Sequence, residues 1–143
     1  VLINKIGAAP TVGEREPGQA QFERKIMGIY KICTQQEWAA AQKDGVYLGS
    51  AVDAEDGFIH FSNGVQTPET ARRYFSGQTD LVLVAVDDGQ LGNQLKWEPS
   101  RDGDLFPHLY GTLALDAVIW VKGLPVASDG EFRFPDEVAL DRP

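Results

Sequence analysis

Cysteine, methionine and histidine are scarce in this chain of 143 residues, with one, one and two copies. A single thiol, Cys33, excludes an internal disulfide, and without clustered thiolates a cysteine-rich structural zinc site is excluded too. Basic residues are outnumbered as well: 13 Lys and Arg against 21 Asp and Glu give a formal net charge of −8. That balance disfavours stable general binding to nucleic acid or to an anionic membrane, and it leaves any anion-binding role to particular arginines or backbone donors. No stretch approaches the roughly 18 uninterrupted apolar residues of a membrane-spanning helix. Asn4, Lys5 and Gly7 interrupt Leu2, Ile3 and Ile6, so the opening residues lack the apolar region of a signal peptide. Cytoplasmic residence is the resulting expectation. Internal repeats are absent, and no glycine-rich loop matches a Walker or dinucleotide-binding fingerprint.

What is present suits one domain with a sizeable core. Residues 1–28 read as an extended or weakly ordered segment, with Pro10, Pro17 and several glycines and no sustained periodicity. Met27 stands just before the first clear strand, which suggests a translation start there. Lys5, Arg15, Arg24 and Lys25 outnumber Glu14, Glu16 and Glu23 by one in this segment, leaving −9 on the remainder. Residues 29–143 read as a single α/β domain, and the order of its elements predicts an α+β, compact mixed-sheet fold rather than a parallel nucleotide-binding sheet.

Ile29 to Cys33 alternates as a strand, and Thr34 with Glu37 forms the pattern of a capping box. Trp38 and Ala41 share one side of the following helix as packing residues, and Asp44-Gly45 ends it. Cys33, flanked by apolar residues and lacking an activating partner, reads as a buried strand residue. Val46 to Gly49 is a short extended return. Asp53, Glu55 and Asp56 read as a solvated acidic turn, since the spacing of a calcium loop is missing. Thr67 is the expected N-cap of a second helix with Pro68 in its first turn, and Gly77 ends it. Leu81 to Val86 is nearly continuous in branched apolar residues, which predicts a central strand covered on both faces. Asp104 to Gly111 reads as a positioned loop, Val118 to Val121 as a strand, and Glu131 to Pro135 as a last short strand before a polar terminus.

The chemistry gathers around Gly57 to Ser62. In a strand, Phe58, His60 and Ser62 share one face while Ile59 and Phe61 face the core, so an imidazole and a hydroxyl sit roughly 7 Å apart on one wall. His108, beside Phe106, Pro107 and Tyr110, is placed to complete that pocket. Arg72 and Arg73 diverge by about 100° on their helix, so at most one faces a given pocket, where its guanidinium suits a phosphate.

Ile29 to Ile32, Trp38, Gly45 to Tyr47, Gly57 to Ser62, Trp97-Glu98 and Phe106 to Gly111 together resemble the bacterial domain-of-unknown-function family 952 over about residues 29–122. A more distant resemblance is to the ADP-ribosyltransferase-like fold, whose members include toxins and the tRNA 2′-phosphotransferases. That relation implies a nucleotide-like small ligand, with NAD or another nucleotide as cofactor, and ADP-ribosyl or phosphoryl transfer. It implies that His60 orients the nicotinamide nucleotide, and it leaves the late catalytic glutamate open between Glu98 and Glu131. On this reading His60 and Glu98 are the catalytic candidates. Ser62, Arg72, Arg73, Tyr74, Trp97, His108 and Tyr110 are the ligand-binding ones, with Tyr74 or Tyr110 stacking on a ring. Two further readings stand beside it: a non-enzymatic small-ligand or peptide-binding module, and a metal-dependent hydrolase built on His60, His108 and Glu98.

Overall fold

The structure, a computed structural model, describes residues 28–140; the expectations for Met27 and for the segment before it lie outside the described residues. Strand β1 (Gly28–Thr34) ends at Thr34, whose hydroxyl accepts from Glu37 N at 3.0 Å while Thr34 N donates to Glu37 Oε1 at 2.8 Å. That capping box opens α1 (Gln35–Asp44), and Gly45, at φ +80°, closes it with Trp38 and Ala41 buried. Such a cap stabilises by about 1 kcal/mol. Strand β2 (Val46–Tyr47) follows.

The acidic stretch expected as a turn is instead helix α2 (Ala51–Asp56). A second reciprocal box opens it, Ser50 N to Asp53 Oδ2 at 2.8 Å and Asp53 N to Ser50 Oγ at 3.3 Å. Asp53 is 2% exposed rather than solvated. Gly57 is the left-handed C-cap of this helix.

Strand β3 is only Ile59–His60. Helix α3 (Thr67–Phe75) starts one residue earlier than expected, with Gln66 as N-cap and no side-chain cap; the Thr67 hydroxyl donates to Asn63 O at 2.7 Å instead. Strand β4 (Leu81–Asp87) is buried along its whole length. The stretch expected as a positioned loop instead forms a hairpin with the residues before it, β5 (Leu95–Pro99) and β6 (Leu105–Leu109). Strands β7 (Leu113–Ala114) and β8 (Val118–Gly123) follow. The expected last strand reduces to one bridge, Val126 to Phe132, and the terminus carries a short helix α4 (Asp136–Leu140).

All pairings among these strands are antiparallel, so the α+β class holds while the expected mixed sheet does not. Among the described residues these strands form three sheets, ordered β1-β4-β8, β2-β7 and β3-β6-β5. Alternation along β1 and β4 feeds two cores, one on each face of the first sheet. Ile29, Cys33, Val82, Val84 and Val86 pack with Trp38, Ile59 and Leu109. Tyr30, Ile32, Leu81, Leu83 and Ala85 pack with Ala71, Leu124 and Val138. This double coverage is why β4 reads as an unbroken apolar run. Cys33 is 1% exposed, and burial pushes its thiol up to about 12.

The same alternation points Lys31 toward the face of Ile29 and Cys33, where an ammonium needs a partner. Tyr30 and Ser62 exchange backbone bonds of 2.8 and 3.0 Å, which ties β1 to the end of the His60 segment.

Candidate functional site

His60 and His108 are direct partners across β3 and β6. Phe61 N donates to Pro107 O at 3.0 Å, so the next pair along is the hydrogen-bonded kind, and Pro107, lacking N–H, cannot return its second bond. Two consequences follow. The two-residue β3 stops at His60, and the His60–His108 position is the non-hydrogen-bonded kind, whose side chains stand closer together. Their ring centroids are 5.5 Å apart, edge to face. Phe58 stacks on His108 at 4.1 Å and 26° and lies 4.5 Å from the His60 ring.

Each histidine is gripped by a carboxylate. Asp53 Oδ1 lies 2.6 Å from His60 Nδ1 and also accepts from His60 N at 3.1 Å, while Oδ2 lies 2.7 Å from Lys31 Nζ. Burial alone would raise the Asp53 pKa, but the His60 hydrogen bond and the Lys31 ammonium outweigh it and hold the carboxyl well below the usual carboxylate range. Asp56 Oδ2 is 3.0 Å from the other His60 nitrogen, so both nitrogens of that ring face carboxylates. Glu98 Oε1 lies 2.8 Å from His108 Nδ1 and accepts from Tyr110 Oη at 2.8 Å. The His108 contact, then the Tyr110 hydroxyl, lowers the Glu98 carboxyl, and in return Glu98 raises the Tyr110 phenol. With Nδ1 on Glu98, His108 keeps Nε2 without a partner among the described residues.

A cavity of about 640 Å³ opens against these rings, within the range of small-molecule pockets. Strand β1, α2, the His60–Ser62 segment, α3, the β5–β6 turn and β6 each contribute to its wall. His60, Ser62, Tyr74 and His108 all line it. Glu98 and Tyr110 converge on His108 from outside the lining, and Trp97, 41% exposed on β5, stands apart from the cavity. Arg72 and Arg73 also lie outside the lining, both paired with Glu69 one turn back on α3. No group of three or more His, Cys, Asp or Glu side chains among the described residues is arranged to hold a metal ion, and Glu131 is exposed and absent from the lining.

Lys31, Asp53, Thr70 and Arg101 belong to the site and were not selected by sequence. Two of them carried a signal. A lone lysine in an apolar strand demands a buried counter-charge, and Ser50 followed three residues later by Asp53 is a helix-start pattern. Arg101 had none, because nothing in a Ser-Arg-Asp-Gly turn says which way its arginine points.

The sequence matches the family DUF952, "Protein of unknown function (DUF952)", over residues 32–121. The crystal structure of protein CC0527 from Caulobacter crescentus is 48% identical, covers 78% of this chain and 98% of its own, and superposes with a TM-score of 0.75. The solution NMR structure of CC0527 is 49% identical, covers 79% and 97% of the two chains, and gives a TM-score of 0.70. Among curated proteins none matches.

Proposed function

The chain belongs to the DUF952 family, and for its cavity we propose that it binds a small nucleotide-like ligand and supports ADP-ribosyl or phosphoryl transfer. The observation that carries this reading is the opposed His60–His108 pair on the cavity wall, each ring oriented by a carboxylate. A carboxylate on Nδ1 fixes the tautomer and ring angle, as in other carboxylate-oriented imidazoles. His108, with Nε2 uncommitted, is the ring that accepts a proton from an acceptor hydroxyl, and Glu98 acts through it as a positioning residue. His60, held from both sides, orients ribose hydroxyls together with Ser62, and Tyr74 at the rim stacks on a ring. In ADP-ribosyl transfer the acceptor oxygen bonds to the anomeric carbon as the bond to the departing base breaks, and the acceptor proton passes to His108.

The occupation of both His60 nitrogens favours a second reading, a non-enzymatic binding module, because a ring fixed at both ends suits recognition better than proton transfer. Calorimetry and product analysis with NAD, ADP-ribose and related nicotinamide nucleotides test both. Binding with turnover that His108→Ala abolishes, and affinity that falls in His60→Ala, is the expected result. Affinity without turnover selects the binding module. No binding by the intact protein across that panel rejects the ligand class.

A further inference from the structure

Arg101 enters the cavity from the turn between β5 and β6. Ser100 N bonds to Asp104 O at 2.9 Å, and Asp102 and Gly103 follow one another at φ of 58° and 81°. Two successive left-handed residues reverse the chain sharply, and a non-glycine residue held there is uncommon. The guanidinium lies over the Phe106 ring at 4.8 Å, and Nη2 donates to Thr70 Oγ1 at 3.3 Å. Thr70 Oγ1 is in turn 2.8 Å from Ser62 Oγ.

This arginine differs from its neighbours in what it faces. Arg72 and Arg73 are taken up by Glu69, and the Asp102 carboxylate lies 3.9 Å from Arg73. No carboxylate among the described residues pairs with Arg101, whose fork keeps most of its five N–H donors after the bond to Thr70. The guanidinium fork, with the one hydroxyl proton that the Ser62–Thr70 bond leaves free, presents donors to more than two oxygens at once, which suits a phosphoryl group better than a carboxylate.

We propose that Arg101, Thr70 and Ser62 form a phosphoryl-binding subsite of the cavity, so that its ligand is phosphorylated. The proposal rests on the nucleotide reading above and adds the position of the phosphate. Ser62 lies two extended residues from His60, roughly 7 Å, so phosphate and imidazole stand about a nucleotide's ribose-to-phosphate reach apart.

Calorimetric titration of the full chain with ADP-ribose, inorganic pyrophosphate and adenosine separates the two claims. In Arg101→Met, which keeps an apolar stem over Phe106, ADP-ribose and pyrophosphate should bind about 10-fold or more weakly, the loss expected for charge-assisted hydrogen bonds. Adenosine should change less than about twofold. Thr70→Val should weaken the same two probes, and Arg73→Met should leave all three unchanged. An unaltered melting temperature confirms that Arg101→Met folds; if it does not, Thr70→Val makes the same test. ADP-ribose binding equally well to both proteins overturns the subsite and leaves the nucleotide reading standing. Pyrophosphate held through Arg101, with ADP-ribose binding no better, keeps the subsite and overturns the nucleotide reading. Absence of binding by every probe overturns both.

Discussion

Truncating Asp53 to alanine strands a buried cation. The Lys31 side chain is 8% exposed and that of Asp53 1%, with 2.7 Å between Nζ and Oδ2. The same carboxylate accepts from Ser50 N and from two nitrogens of His60. Removing one partner of such a pair costs about 3–5 kcal/mol, because the remaining charge has lost both water and its counter-ion. For a domain of this size that corresponds to a melting temperature lower by about 10–20 °C.

Thermal and urea denaturation followed by circular dichroism at pH 7 measure the loss. Adding Lys31→Met to Asp53→Ala should recover at least about half of it, since replacing a whole buried pair by apolar groups is often near neutral. The pH dependence has a definite sign. The folded-state pKa of Asp53 lies below its unfolded value near 3.9, so its contribution is complete well above about pH 4. It is lost as pH falls through the depressed folded value, and the stability gap between wild type and Asp53→Ala should close in that window. A cost under about 1 kcal/mol for Asp53→Ala would refute the reasoning by showing that water solvates Lys31 in place of the carboxylate, and no recovery with Lys31→Met would refute it by showing that the loss comes from the bonds to Ser50 and His60.

Three further substitutions have measurable outcomes. Gly49 has φ +102°, and a Cβ there meets Asp53 Cβ at 2.9 Å and Ile59 Cγ1 at 3.3 Å, so Gly49→Ala should cost about 1–3 kcal/mol. At Gly111 the obstruction is Gln94 Oε1 at 2.5 Å, the end of a flexible side chain, so Gly111→Ala should cost under about 1 kcal/mol; equal losses in chemical denaturation would contradict the contrast. Glu98→Gln removes the carboxylate that raises the Tyr110 phenol, so Tyr110 should ionise at lower pH, back toward about 10, in a titration of ring-labelled tyrosine by NMR.

The parts of the fold legible in sequence are those where one local rule suffices. Thr34 with Glu37 starts α1 and Gly45 stops it; the run from Leu81 to Val86 marks a strand buried on both sides. Local rules fail where distant partners decide. Leu105 to Leu109 contains Pro107, a strand breaker by local rules, yet it pairs along its length with β5, and the missing N–H is spent where β3 ends. Asp53 looked like surface because three acids lie close together, and only the approach of Lys31 and His60 makes burial favourable.

The same division runs through the site. By itself the sequence determined that His60 and Ser62 lie on one face of an extended segment, because side-chain direction in a strand follows from position alone. The step of about 100° between Arg72 and Arg73 was legible too, yet both guanidinium groups turn to the same Glu69. Only the tertiary structure decided that His108 stands opposite His60, that Asp53 and Glu98 hold the two rings, and that Arg101 rather than Arg72 or Arg73 lines the cavity. Those outcomes depend on strand register, on the path of a turn and on which carboxylate neutralises which cation. All three are set by contacts between residues far apart in the chain, where no local pattern reaches.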